Sequence, residues 1–165
     1  MEKVIRRCHP RFVRRALGAA QGETIWQLRR EFSYALRDTG LQKLNEDVTV
    51  PRSRLEDLFR FTERLQQRSG FPIACFGHAG DSNIHVNVMV DEKLPGIDTR
   101  CRAVLDTLFK QVLDWGGVIT GEHGVGLSRK PWWPLATSPE VRQLHQTIKG
   151  ALDPHGILNP GKFLS

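Results

Sequence analysis

From Ile84 to Val90 the chain reads Ile-His-Val-Asn-Val-Met-Val, and nothing else in it restricts the fold as tightly. Successive side chains of a strand point to opposite faces, so Ile84, Val86, Val88 and Val90 share one face and His85, Asn87 and Met89 share the other. Four β-branched residues on one side make that side core. A histidine and an asparagine are thereby aimed together at something other than the core. Ahead of the run, His78-Ala79-Gly80-Asp81-Ser82-Asn83 is a tight polar loop and Phe71–Gly77 reads as another strand. The chain can then fold back and bring His78 towards His85.

Amphipathic helices flank this hairpin. Residues 24–38 carry Ile25, Leu28, Phe32 and Leu36 near helical spacing, with Gly40 as a stop. After the short β-branched run 48–50, Pro51 opens a helix that ends at Gly70, with Leu55, Leu58, Phe59, Thr62 and Leu65 on its apolar side. A third helix spans roughly 98–115, Gly116-Gly117 breaks it, and residues 118–120 resume as a strand. Ser138 caps the last helix, with Pro139 in its first turn and Glu140 at its positive end. Pro154 limits it. The order predicts an α+β fold, a largely antiparallel sheet with helices covering one face and the other face open to a partner domain.

Charge and composition exclude several classes. Of a net charge of +6, residues 1–40 hold nine Lys or Arg against four acids, which leaves +5 there. This sets off residues 1–22 as a basic segment ahead of a domain at 23–165. No aromatic side chains interleave with the early arginines to stack bases, so a solvated or partner-facing helix surface is expected, with no nucleic acid. No apolar run approaches a membrane span, and no apolar h-region precedes a cleavage site. Three cysteines, Cys8, Cys75 and Cys101, lack metal-ligand spacing and are expected as buried thiols in a reducing, cytoplasmic setting.

Two neutral imidazoles suit zinc or a similar divalent ion, but two alone bind weakly. A third ligand is offered by Gly121-Glu122-His123-Gly124, where glycines let the backbone come close to a neighbour. Two histidines and a carboxylate would leave one coordination position open, as catalytic sites do. His9, His145 and His155 have no such company.

Three segments in order, HAGDSNIHVNV, GGVITGEHGVGL and ALDPHGILNPGKFL, resemble the signature segments of the C-terminal domain of FAD-linked oxidases. That family includes the glycolate oxidase flavin subunit, D-lactate dehydrogenases and D-2-hydroxyglutarate dehydrogenase. The resemblance runs from about Trp26 to the end and implies a ferredoxin-like cap domain. It implies His78, His85 and Glu122 as metal ligands, zinc foremost, His123 as the catalytic base and Asn87 as a substrate contact. Trp26-Gln27-Leu28-Arg29 resembles the segment whose arginine binds the substrate carboxylate; Ser33 follows one helical turn on. Lys43 resembles a lysine of the same pocket. Asn159, in Asn159-Pro160-Gly161-Lys162, resembles a turn near the flavin. Ser82 departs from the family, which usually has glycine there; a negative φ would suit serine, a positive one would strain it.

The resemblance therefore implies one half of an FAD-dependent 2-hydroxyacid dehydrogenase or oxidase. Its substrate would be a small 2-hydroxy acid, and its partner a flavin-binding domain or subunit. No glycine-rich phosphate loop occurs here, so the flavin-binding domain is expected outside this sequence. A non-catalytic remnant or metal-binding module is the alternative, and a metal-dependent amidohydrolase a distant third. Homo-oligomerisation stays open.

Overall fold

The structure, a computed structural model, describes residues 2–164, and the chain divides into two compact units, Met1–Gly40 and Leu41–Ser165. The first contains α1 (Glu2–Arg6) and α2 (Ala19–Arg37). Helix α2 starts ahead of the apolar pattern because Ala19, Ala20 and Gln21 continue it backwards, and Gln21 Oε1 accepts from the Leu17 amide at 2.9 Å. A boundary at residue 22, expected from charge, falls inside this helix. Of its apolar stripe, Ile25, Leu28 and Phe32 are exposed and Leu36 is half-buried.

The second unit runs β1 (Gln42–Thr49), α3 (Leu55–Ser69), β2 (Ile73–His78), β3 (Asn83–Val90), α4 (Ile97–Asp114), α5 (Trp133–Ala136) and α6 (Pro139–Leu152). The sheet has the order β1-β3-β2, antiparallel throughout. Lys43–Thr49 thus belong to a strand much longer than the three β-branched residues at 48–50 suggest. The expected strand at 118–120 is reduced to one bridge, Thr49 to Val118, on the outer edge of β1. Beyond it the backbone turns aside, and the Thr120 hydroxyl and Gly121 amide donate to the Asp47 carboxylate. Strand, helix, two strands and helix, followed by this bridge where a fourth strand would lie, make a ferredoxin-like order with its last strand almost lost.

Helix α3 stops where Gly70 adopts φ 75, a conformation open to glycine at little strain. Helix α6 starts where Ser138 Oγ accepts from the Val141 amide at 3.3 Å. One cluster joins Val48, Ile84, Val86, Val88 and Val90 of the sheet to Leu58 and Leu65 of α3 and Leu108, Phe109 and Val112 of α4. The α+β fold with helices on one sheet face is as the alternation demanded.

The opposite face is not open along its central strand. Every residue of β3 is buried, His85, Asn87 and Met89 included. Paired residues of antiparallel strands point to the same side, so Asn45 and Asp47 of β1 flank Asn87 and His85 of β3. Phe76 and His78 of β2 complete the row against His85 and Asn83. The polar residues of the central strand are thus covered, while His78 at the hairpin end stays exposed.

Candidate functional site

Burying polar side chains without partners is unfavourable by about 1–3 kcal/mol each, so a sheet face built from them calls for an explanation. Asn45 Oδ1, Asp47 Oδ1, Asn83 Oδ1, His85 Nδ1 and Asn87 Oδ1 are all buried without a hydrogen-bond partner. They lie on the side of the sheet from which His85 projects.

The tight β2–β3 turn brings the two histidines together. Asp81 N donates to the His78 carbonyl at 3.0 Å, and the ring centroids of His78 and His85 are 5.8 Å apart, edge to face. At Gly77 a side chain would collide with the Asn83 carbonyl, so the hairpin closes only with glycine there. Ser82 sits at φ 57, the strained outcome for serine, with its hydroxyl buried and unpartnered.

Glu122 arrives from the loop after α4. Its Oε1 stands 3.2 Å from His85 Nε2 and 3.7 Å from His123 Nε2. The His123 ring stacks on His85 at 5.3 Å between centroids and 23° between planes. Ligand-capable atoms of His78, His85 and Glu122 all lie within 4.8 Å of one another. Tetrahedral zinc with bonds of 2.0–2.1 Å spaces its ligand atoms by about 3.3 Å, which the His85–Glu122 pair already matches. Burial pushes the His85 imidazole below its ordinary value of 6.5, and His123 and His78 add to this against the pull of Glu122 and Asp47. The neutral ring is the form that binds a metal. The donor set therefore fits a divalent ion.

Asp47 is the residue that sequence reasoning missed. Its side chain is fully buried, and one oxygen, Oδ2, accepts from Thr120 Oγ1 at 3.2 Å and from the amides of Gly121, Glu122 and His123 at 3.0, 2.7 and 2.8 Å. Burial works against this carboxylate, but the His123, Glu122 and Gly121 amides and the His123 ring hold it below its ordinary value. Gly121 must lack a side chain, since a Cβ would lie 2.6 Å from Asn83 Oδ1 and 2.8 Å from Thr49 Oγ1. Arg129, also missed, is buried against Glu46 at 3.1 Å, and donates to the carbonyls of Gly124 at 3.1 Å and Asn45 at 2.9 Å.

Residues 2–163 match the family model for the C-terminal domain of FAD linked oxidases. The chain belongs to this family. The match starts inside the basic segment, well before Trp26. Among relatives of this FAD-linked oxidase domain, glycolate oxidase subunit GlcD of Bacillus subtilis is 32% identical over 141 residues, 86% of the chain and 30% of the relative. D-lactate dehydrogenase of Anaerostipes hadrus is 32% identical over 118 residues, 71% of the chain and 25% of that protein. D-2-hydroxyglutarate dehydrogenase of Xanthomonas citri pv. viticola is 34% identical over 148 residues, 87% and 31% respectively. The FAD-linked oxidase domain described here thus spans about 30% of the length of such relatives.

The other expected site residues of this FAD-linked oxidase domain are more dispersed. Lys43 pairs with Met89 and shares the His85 face, but four residues along a strand put it about 13 Å from His85. Asn87 is fully buried; its Nδ2 donates to the Ala74 and His85 carbonyls at 3.0 and 3.1 Å, leaving only Oδ1 for a ligand. Arg29 and Ser33 lie one turn apart on α2, in the other unit, both half-buried. Asn159 takes φ 48 and borders a cavity of about 440 Å³ with Lys149, Lys162, Leu127 and Phe163; none of His78, His85 and Glu122 lines it. The Asp153 carboxylate shapes this turn by accepting from the amides of Ile157 and Leu158, both at 3.0 Å, and from Lys149 Nζ. Trp132 is buried in the core cluster and donates to Asp106 at 2.6 Å. The cysteines are free, but Cys8 is exposed and Cys75 and Cys101 only partly covered, not buried as expected. Among the described residues no helix is long and apolar enough to cross a membrane.

Proposed function

We propose that this chain is the metal- and substrate-binding part of an FAD-dependent dehydrogenase or oxidase of D-2-hydroxy acids. The observation that carries the reading is the convergence of His78, His85 and Glu122 within 4.8 Å, with His123 stacked on the central ligand. A divalent ion held there, zinc foremost, would supply a Lewis acid that lowers the pKa of the substrate hydroxyl. The flavin, held mainly by a domain outside this sequence, would be the hydride acceptor.

The chain's own residues do the rest. His123 Nε2, on the Glu122 side, accepts the hydroxyl proton as general base. Its Nδ1 faces Asp47 Oδ2 at 3.9 Å. Arg29 offers the planar fork that pairs with a carboxylate through two charge-assisted hydrogen bonds, with Ser33 and Lys43 as further polar contacts. Asn87 takes part through Oδ1. Asn159 presents the turn that meets the flavin.

The test is a zinc titration of the wild type and His85→Ala, followed by turnover of glycolate, D-lactate and D-2-hydroxyglutarate with a flavin-binding domain supplied separately. Wild-type binding lost in His85→Ala supports the ligand set. His123→Gln should keep zinc and lose about 10²–10⁴-fold in turnover. Full turnover in His123→Gln would remove the assigned base. Zinc binding with no turnover of any hydroxy acid would leave a binding module in place of a half-enzyme.

A further inference from the structure

Glu122 and His123 sit in a loop without regular hydrogen bonding, between two glycines, on the solvent side of the sheet. Left to itself, such a segment samples many conformations, and neither side chain would hold a fixed place beside His85. Something must remove that freedom. We propose that Asp47 is a positioning residue for the Glu122–His123 pair, its carboxylate fixing the loop so that one side chain meets His85 and the other stacks on it. The inference deepens the metal-site reading and rests on it for its function.

Three successive amides and one hydroxyl converge on a single Asp47 oxygen. Bonds to an ionised acceptor are roughly twice as strong as neutral ones, so this one atom sets the backbone path of four consecutive residues. The Asp47 carbonyl also accepts from the Gly121 amide at 3.1 Å. Thr120 Oγ1 in turn accepts from the Gly124 amide at 2.9 Å, which closes the turn on itself. Asp47 is itself held in the sheet, in β1 directly opposite His85. The same strand pair therefore sets His85 and, through Asp47, its two neighbours.

The link runs through the backbone. Nδ1 of His123 is 3.9 Å from Oδ2, too far for a hydrogen bond, so Asp47 does not orient the ring as the aspartate of a serine-protease triad does. Nor does it touch a ligand directly, being wholly buried. At the far end of the loop, Arg129 ties Gly124 to Asn45, two residues before Asp47 on β1. The loop is pinned at both ends to one strand.

The experiment titrates Zn²⁺ alone into the full 165-residue chain, its Asp47→Asn and Asp47→Ala variants, and His85→Ala, and follows amide exchange on the metal-free proteins. Asp47→Ala is expected to weaken zinc binding about 10–100-fold, the usual range for residues that orient metal ligands. Asp47→Asn, which keeps an acceptor oxygen but no charge, should weaken it by a smaller, several-fold step. In both, the amides of Gly121, Glu122 and His123 should lose protection while those of the β2–β3 ladder keep theirs. Should Asp47→Ala not fold, Asp47→Asn decides by the same two readouts. Wild-type affinity in the variants that fold, or protection lost evenly across the sheet, overturns the inference. If the wild type takes up no zinc, or His85→Ala takes up as much, the metal-site reading fails instead, and the exchange pattern alone then decides for or against Asp47.

Discussion

Replacing Ser82 with glycine should make the protein more stable. Ser82 has φ 57 and is 2% exposed, with its hydroxyl buried and unpartnered. A residue with a Cβ in the left-handed region is disfavoured by about 1–2 kcal/mol. The sealed hydroxyl adds about 1–3 kcal/mol of lost hydration. Against this, glycine's freedom in the unfolded chain costs about 0.5–1 kcal/mol, and losing two small packed atoms about another 1 kcal/mol. The balance favours Ser82→Gly by about 2 kcal/mol, which raises the thermal midpoint by roughly 4–8 °C for a domain of this size. Ser82→Ala separates the contributions, because it removes the hydroxyl and keeps the backbone strain, so its gain should be the smaller. Thermal and urea unfolding of the three proteins measure this. A midpoint for Ser82→Gly below wild type, or an equal rise in both variants, would refute the reasoning.

Three further outcomes are expected. Arg129→Ala should destabilise the fold by about 3–5 kcal/mol near neutrality, since it strands the buried Glu46. Burial already pushes the Glu46 carboxyl above its ordinary 4.5 against the opposing Arg129 charge; the folded variant binds that proton more tightly than the unfolded chain, so urea midpoints of variant and wild type should converge as pH falls towards 4.5. Asp153 moves the other way: Lys149 holds it below its ordinary 3.8, with the Leu158 and Ile157 amides helping against burial. Its contribution is present above pH 3.8 and lost as pH falls through the lowered value, so amide protection at Ile157 and Leu158 should decline there, and should already be absent at neutrality in Asp153→Ala. Gly121→Ala, whose new methyl would meet Asn83 and Thr49, should abolish zinc binding while circular dichroism stays close to wild type.

The hairpin, α3 and α6 were legible because local signals agree with the packing they produce. Alternation at Ile84–Val90, the αL stop at Gly70 and the Ser138 cap each express a short-range rule. Residues 118–120 misled because β propensity says nothing about a buried carboxylate, and beyond the single bridge the hydroxyl and amides of residues 120–123 gather on Asp47. The histidines and Glu122 were visible as a set through residue chemistry and the family resemblance. Asp47 and Arg129 were hidden, since an aspartate or arginine in sequence looks solvated until the backbone groups it serves, more than seventy positions from Asp47, are brought to it. The one available clue was Glu46-Asp47 directly ahead of the β-branched run Val48-Thr49-Val50, where two acids would otherwise be unwelcome.

The distribution of the ligands along the chain also orders their assembly. His78 and His85 belong to one hairpin, whose closure demands little loop entropy and is over within microseconds. Glu122 is separated from them by the whole of α4, and it can join only after that helix has docked on the sheet and β1 has delivered Asp47. Hairpin closure thus brings the two imidazoles together before the acid, and the complete donor set of the proposed site would form last. Under the metal reading proposed above, selectivity would be exercised only once the domain is nearly finished.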